Sequence, residues 1–223
     1  MTLLSVPGKV FAQIILDRVR HHLLEHQSPE QSGFTPKRST IDRILALWVL
    51  TECRQEFRQG LLAAYVDLCN AFDSVNLDAL WRILGLRGVT PKLIDLMSEL
   101  YSGTESAVRC GDSISDLFPG VTGVCQGCAL TPTLFSTCMD WILRRISERS
   151  SCGTSLGNVK LSDLDFADNA VIFAEILDIL LGAQEVLNEE SEPLGLRVSW
   201  VKTKIQAFND ILDAGIFVCT CLW

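Results

Sequence analysis

Two carboxylates stand where apolar runs end. In YVDLCNAFDSV, Asp67 closes a short aliphatic stretch and Asp73 follows six residues later. In SDLDFADNAVIF, Ser162–Phe173, two apolar segments fold back around a polar tip that holds Asp168, with the amide of Asn169 directly beside it. Carboxylates leaving strand ends toward a shared edge are suited to a hard cation such as magnesium, which takes oxygen ligands. Two such ions about 4 Å apart stabilise both the attacking and the leaving oxygen of an in-line phosphoryl displacement. The same residues have a plainer use. Asp67 can cap the next element, and Asp168-Asn169 can simply make a turn, as these residue types often do. The two acids lie far apart in sequence, so only a fold can bring them together.

The elements that must position them follow from periodicity. Phe11, Ile14, Ile15, Val19, Leu23 and Leu24 recur at helical spacing from Val10 to Glu25, with basic residues between them. The loop HQSPEQSGFTPKRST, rich in Pro, Gly and Ser, separates this helix from a second, Thr40 to Gln59, capped by Ser39 or Thr40. LLAAYVDL reads as a buried strand. Asn76 to Leu84 is helical, and Pro91 to Tyr101 restarts a helix at an N1 proline. Ser106–Cys110 and Leu117–Val124 form a hairpin around Gly111-Asp112. Pro132 to Ser150 is an amphipathic helix, Val159–Phe173 the acidic hairpin, and Ile176–Glu190 a further helix. LRVSW and KIQAF are expected to pair as one last hairpin around Lys202–Lys204. This order implies an α+β fold with a mostly antiparallel sheet.

Composition narrows the class. Of 223 residues, 48% are hydrophobic and 21% charged, the profile of a folded chain with a core of real size. The longest uncharged apolar runs are too short to span a bilayer, and the N-terminus lacks the leading positive charges of a signal peptide. Nine cysteines, an odd number without repeating spacing, disfavour a secreted disulfide framework. An intracellular setting, cytoplasmic or nuclear, is therefore expected. The net charge of −8 is not that of a simple nucleic-acid coat. It is compatible with a protein that holds cations on carboxylates at a nucleic-acid end.

Read in order, QSGFTPKRSTID, YVDLCNAFDSV, GVCQGCALTPTLF, DLDFADNAVIF and LGLRVSWVKTKIQAF closely resemble the successive motifs of reverse transcriptases, specifically those of non-LTR (LINE-type) retrotransposons. The resemblance runs from about Leu3 to Phe208. It implies a right-hand polymerase palm, an antiparallel sheet backed by helices, over 61–208. Partial fingers occupy 1–60, and a divergent tail follows over 209–223, where a thumb is expected to be missing. It implies two magnesium ions, an RNA template, a DNA primer and deoxynucleotides, and no membrane. Protein partners are not specified.

The resemblance makes Asp67 and Asp168 metal ligands. Phe72 becomes the ring under the incoming ribose, and Gln126 and Gly127 the pair lying against template and nucleotide. Lys202 or Lys204 takes the place of the lysine near departing pyrophosphate, and Arg38 that of a phosphate contact in the fingers.

Three positions depart from the family pattern. Asn169 stands in place of a second catalytic aspartate, Thr35 in place of an arginine after Gly-Phe, and Cys125 in place of an arginine before Gln126. Each removes one charge. Removing an oriented charge at a transition state costs about 10² to 10³ in rate. The expected function is thus a reverse-transcriptase-like domain with impaired nucleotidyl transfer. The alternative is an inactive retroelement remnant that binds protein or nucleic acid.

Other features carry plainer readings. Cys125 and Cys128 have zinc-knuckle spacing, but no second such pair exists to complete four ligands. Phe72 suits a core position equally well. His21 and His22 sit on a basic helix and read as solvated. RRISER closes a helix whose C-terminal cations complement its dipole.

Overall fold

The computed structural model describes residues 5–120, 122–157, 159–208 and 216–217. Helices α1 (Val6–Glu25) and α2 (Thr40–Glu56) precede strands β1 (Leu61–Val66) and β2 (Leu68–Cys69). The short α3 (Ala71–Ser74) leads to α4 (Leu77–Leu86) and α5 (Pro91–Tyr101). Four two-residue strands come next: β3 (Glu105–Ser106), β4 (Arg109–Cys110), β5 (Ser113–Ile114) and β6 (Phe118–Pro119). Helix α6 (Thr131–Ser150) is followed by β7 (Thr154–Leu156), β8 (Val159–Leu161), β9 (Asp163–Phe166) and β10 (Asn169–Ala174). The chain continues with α7 (Leu177–Ser191), a 3₁₀ turn at Glu192–Leu194, β11 (Arg197–Val198), β12 (Lys204–Phe208) and β13 (Ile216–Phe217).

The central sheet has the order β13-β12-β1-β10-β9, and its pairings are antiparallel. The fold is mixed helix and sheet of the α+β kind. Strand β1 sits in the middle, and its alternation divides the core. Leu62, Ala64 and Val66 join a large cluster with α1, α4, α6 and α7. Leu61 and Ala63 face the other way, onto Leu50 of α2, Leu164 and Phe173. Covered on both faces, the strand has no polar side to show. That is why it reads as a continuous apolar run.

Local signals fix the helices. Ser39 and Asp42 form a reciprocal capping box at α2. Asn76 Oδ1 accepts from the Ala79 amide at the start of α4 (3.1 Å), and Pro91 opens α5. Helix α6 buries Leu134, Phe135, Cys138, Met139, Ile142, Leu143 and Ile146 at helical spacing against the sheet.

The expected order of elements holds, with three differences. The 106–124 hairpin pairs only at β4–β5 and β3–β6 and ends at Pro119, because the chain from Thr122 onward is bound to the segment after β2. An unanticipated small hairpin, β7–β8, precedes the acidic one. LRVSW and KIQAF do not pair with each other. β11 pairs with β2 and β12 with β1, so both lie along one continuous partner. The two residues between Tyr65 and Leu68 are matched by five between Val198 and Lys204, and the surplus bulges out beside Asp67. The edge of a core strand offers a longer ladder than two short segments offer each other, and that decides the pairing. The expected tail, 209–223, lies outside the described residues apart from 216–217.

Candidate active site

Val66, the last residue of β1, pairs with Ala170 in β10. Asp67 therefore leaves the sheet beside Asn169, next to the tip residue Asp168. The hairpin that carries them turns at Ala167-Asp168, with Ala167 in the left-handed region at φ 61° and Phe166 paired to Asn169. At this sheet end the Ser199 amide donates to the Asp67 carbonyl (2.8 Å), which anchors the bulge. Lys202, on the bulge, places Nζ 3.4 Å from Asp67 Oδ1. The structure thus brings Asp67, Asp168, Asn169 and Lys202 to one place. Lys204 instead opens β12, opposite Tyr65.

At the tip, Asn169 Nδ2 donates to Asp168 Oδ1 (3.3 Å). The bond occupies a lone pair that would otherwise be open to a cation. Asp67 and Asp168 are the only carboxylates among Asp67, Asp168 and Asn169, and the described residues form no group of three His, Cys, Asp or Glu ligands there. Two carboxylates and an amide carbonyl suit a single hard cation with water completing its shell.

Phe72, Gln126 and Gly127 meet around a cavity of about 530 Å³, which Lys9 and Gln13 of α1 also line. Phe72 serves both of its readings. One face of its ring stacks on Phe135 with centroids 4.3 Å apart, and the residue also borders the cavity. The segment carrying Gln126 is fastened to the one carrying Phe72. The Val124 amide donates to the Phe72 carbonyl (2.7 Å), the Gly123 amide to the Val75 carbonyl (3.0 Å), and Gln126 Nε2 to Asp73 Oδ1 (2.9 Å). Gly123 has φ +86°, and a Cβ there would lie 2.6 Å from the Asp73 carbonyl oxygen, so glycine alone fits. Arg38 is exposed and does not line this cavity.

Cys125 and Cys128 bracket a turn, and burial pushes the Cys125 thiol above its ordinary range, with Cys128 adding to the effect. A protonated thiol is a poor nucleophile and a poor metal ligand. The pair has no further ligand among the described residues.

The residues that sequence reasoning missed hold the hairpin from behind. Gln31 forms a parallel bridge to Asp165, and Gln31 Nε2 donates to the Asp165 carboxylate. The Ser32 amide and hydroxyl both donate to the Asp165 carbonyl (3.2 and 2.9 Å). Gly33 packs so closely that a Cβ would lie 2.2 Å from the Ala167 amide nitrogen. Asp165 is only 1% exposed, and burial drives its carboxyl well above the usual range, with Asp163 and Asp140 adding to the effect. The signal for this contact was present in the motif strings QSGFTPKRSTID and DLDFADNAVIF, but nothing in either string links them.

The sequence model described as reverse transcriptase (RNA-dependent DNA polymerase) matches residues 1–210. The chain belongs to the reverse transcriptase family. This reverse transcriptase domain is 28% identical over 197 residues to the retrovirus-related Pol polyprotein from type-2 retrotransposable element R2DM of Drosophila melanogaster, covering 86% of this chain and 18% of that protein. It is 26% identical over 212 residues to the transposon TX1 uncharacterized 149 kDa protein of Xenopus laevis, covering 91% of this chain and 16% of that protein. Such relatives make it a reverse transcriptase domain of the non-LTR retrotransposon kind. The chain spans less than a fifth of the length of these two relatives. In fold it is similar to the telomerase of Candida tropicalis in complex with a telomeric RNA fragment. That similarity has a TM-score of 0.63 at 14% identity and covers 92% of this chain and 34% of that one.

Proposed function

We propose that this reverse transcriptase domain binds an RNA template, a DNA primer and a deoxynucleotide, and that its nucleotidyl transfer is attenuated at Asn169. The observation that carries the proposal is the Asn169-to-Asp168 hydrogen bond at the sheet end beside Asp67. In this reading residues 61–208 are a palm and 1–60 partial fingers. Asp67 and Asp168 would hold magnesium, with the Asn169 carbonyl as a neutral ligand. Magnesium, when bound, polarises phosphoryl oxygens and neutralises the charge that develops on them.

The protein's own groups do the rest. Phe72, held by Phe135, limits the space under the ribose and excludes a 2′-hydroxyl by bulk. Gln126, oriented by Asp73, lies against template and nucleotide with Gly127. Lys202 keeps its ammonium beside Asp67, where a phosphate leaving group would need a cation. Arg38 contacts phosphate ahead of α2.

Primer extension on an RNA template, with magnesium and deoxynucleotides, tests the reading. Asn169→Asp is expected to raise the rate by about 10² to 10³, and Asp67→Ala in that background to abolish it. Equal rates for the native chain and Asn169→Asp would overturn attenuation at this residue.

A second reading, a binding module without chemistry, is favoured by the outer face of α2. There Ile41, Ile44, Leu45 and Trp48 are all more than half exposed. It predicts salt-dependent RNA binding, or association through α2 that Trp48→Ser disrupts, with extension absent even in Asn169→Asp.

A further inference from the structure

The last turn of α1 reads His22-Leu23-Leu24-Glu25-His26. Spacings of three and four place His22, Glu25 and His26 on one helical face. One ligand atom from each lies within 4.8 Å of the other two. This is the only cluster of three or more His, Cys, Asp or Glu ligands among the described residues.

Hydrogen bonds fix the ring nitrogens. His22 Nε2 lies 2.7 Å from the Arg87 carbonyl oxygen and His26 Nδ1 lies 2.8 Å from the His22 carbonyl oxygen. A carbonyl only accepts, so both nitrogens must carry the hydrogen. His22 Nδ1 and His26 Nε2 are thereby left with free lone pairs. Imidazoles oriented by a backbone carbonyl in this way are typical of metal ligands. His22 is anchored rather than freely solvated. The cluster also sits at a helix C-terminus, where the dipole favours a cation. The guanidinium groups nearby are held by acceptors on either side: the His26 carbonyl accepts from Arg87 (3.3 Å) and Arg144 (3.0 Å), while Asp140 pairs with Arg87 and lies 4.0 Å from Arg144. The competing contact is the exposed His21–Glu25 pair at 3.5 Å.

We propose that His22, Glu25 and His26 form a zinc site, with two imidazole nitrogens and one carboxylate as ligands and water completing a tetrahedron. The ion would pin the end of α1 against the Arg87 turn after α4. It would also steady the entrance to the loop whose Gln31 and Gly33 hold the acidic hairpin. The inference stands independently of the polymerase reading.

Zinc titration of the native chain by calorimetry, with cobalt(II) absorbance alongside, tests it. The expected result is one ion per chain, no thiolate-to-cobalt charge-transfer band, and a rise in Tm with zinc. His26→Ala and Glu25→Gln, both exposed positions, are each expected to weaken binding about tenfold or more with far-UV circular dichroism unchanged. Cys125→Ser is expected to leave binding intact. Unchanged affinity in both helix variants, loss of binding in Cys125→Ser, or a thiolate band would overturn the assignment.

Discussion

The bond from Asn169 Nδ2 to Asp168 Oδ1 is one that a carboxylate at position 169 could not make. Two carboxylates side by side repel and are held together by a cation, whereas an acid and an amide satisfy each other without one. Asn169 is in this sense an internal replacement for part of a metal's role. Behind the tip, Asp163 lies 7% exposed, and burial pushes its carboxyl up to about 6, against the hydrogen bond from Ser162. Glu30 and Asp140 push the same way, while Arg43 opposes them. An acid raised in the folded state stays protonated there at pH values where the unfolded chain has already released its proton. Stability from this group is therefore full below about pH 4 and falls as pH rises to about 6, by up to about 3 kcal/mol. Asp163→Asn removes that loss. Urea unfolding at about pH 4 and at pH 7 should show a smaller drop for the variant than for the native chain, and equal drops would refute the account.

At the level of elements, the hairpin β9–β10 is held by a loop as well as by its sheet partner β1. Gly33 presses on Ala167, and its carbonyl accepts from Ser136 of α6 (3.1 Å), so the loop cannot retreat. Gly33→Ala must displace either the loop or the tip. A cost of about 2–4 kcal/mol is expected, together with weaker nucleotide binding. Thermal unfolding and nucleotide titration measure the two, and an unchanged Tm would show that the contact is dispensable. How much of this was legible in sequence follows from what each signal encodes. Capping residues and apolar periods are local, so α2, α4, α5, α6, β1 and the acidic hairpin were readable. The alternation DLDF puts Asp163 and Asp165 on one strand face, and no local signal tells that Asp165 is covered by Gln31 and Ser32 from a distant loop. LRVSW and KIQAF look like the arms of a hairpin because a bulge and a turn use the same residue types. Only the open edge of β1 distinguishes them, and that edge belongs to a distant stretch of chain. The same holds for Asp67 and Asp168, whose proximity rests on a ladder between β1 and β10.

Across the whole molecule, electrostatics limits what a chain of net charge −8 can hold. A polyanion approaching such a surface gains little from the overall field, so affinity must come from a few local cations. Relative to the motif pattern this chain resembles, Thr35 and Cys125 each replace an arginine. In the fold, Thr35 Oγ1 accepts from Gln27 Nε2 (2.8 Å), and Cys125 is half-buried directly before Gln126. Thr35 thus follows the loop that packs behind the acidic hairpin, and Cys125 lies in the segment fastened to Phe72 and Val75. The double variant Thr35→Arg, Cys125→Arg adds two charges and takes the net charge from −8 to −6. Each arginine that reaches a phosphate releases a condensed counterion, so the dependence of log K on log salt should steepen by about 0.7 to 0.9 per contact. Binding of a labelled RNA–DNA primer–template by fluorescence anisotropy, from low to moderate salt, is expected to show tighter binding and a slope steeper by between one and two such steps. A gain in affinity with no change in slope would mean that the arginines act through packing and not through phosphate. No gain in either would remove both positions from the nucleic-acid face.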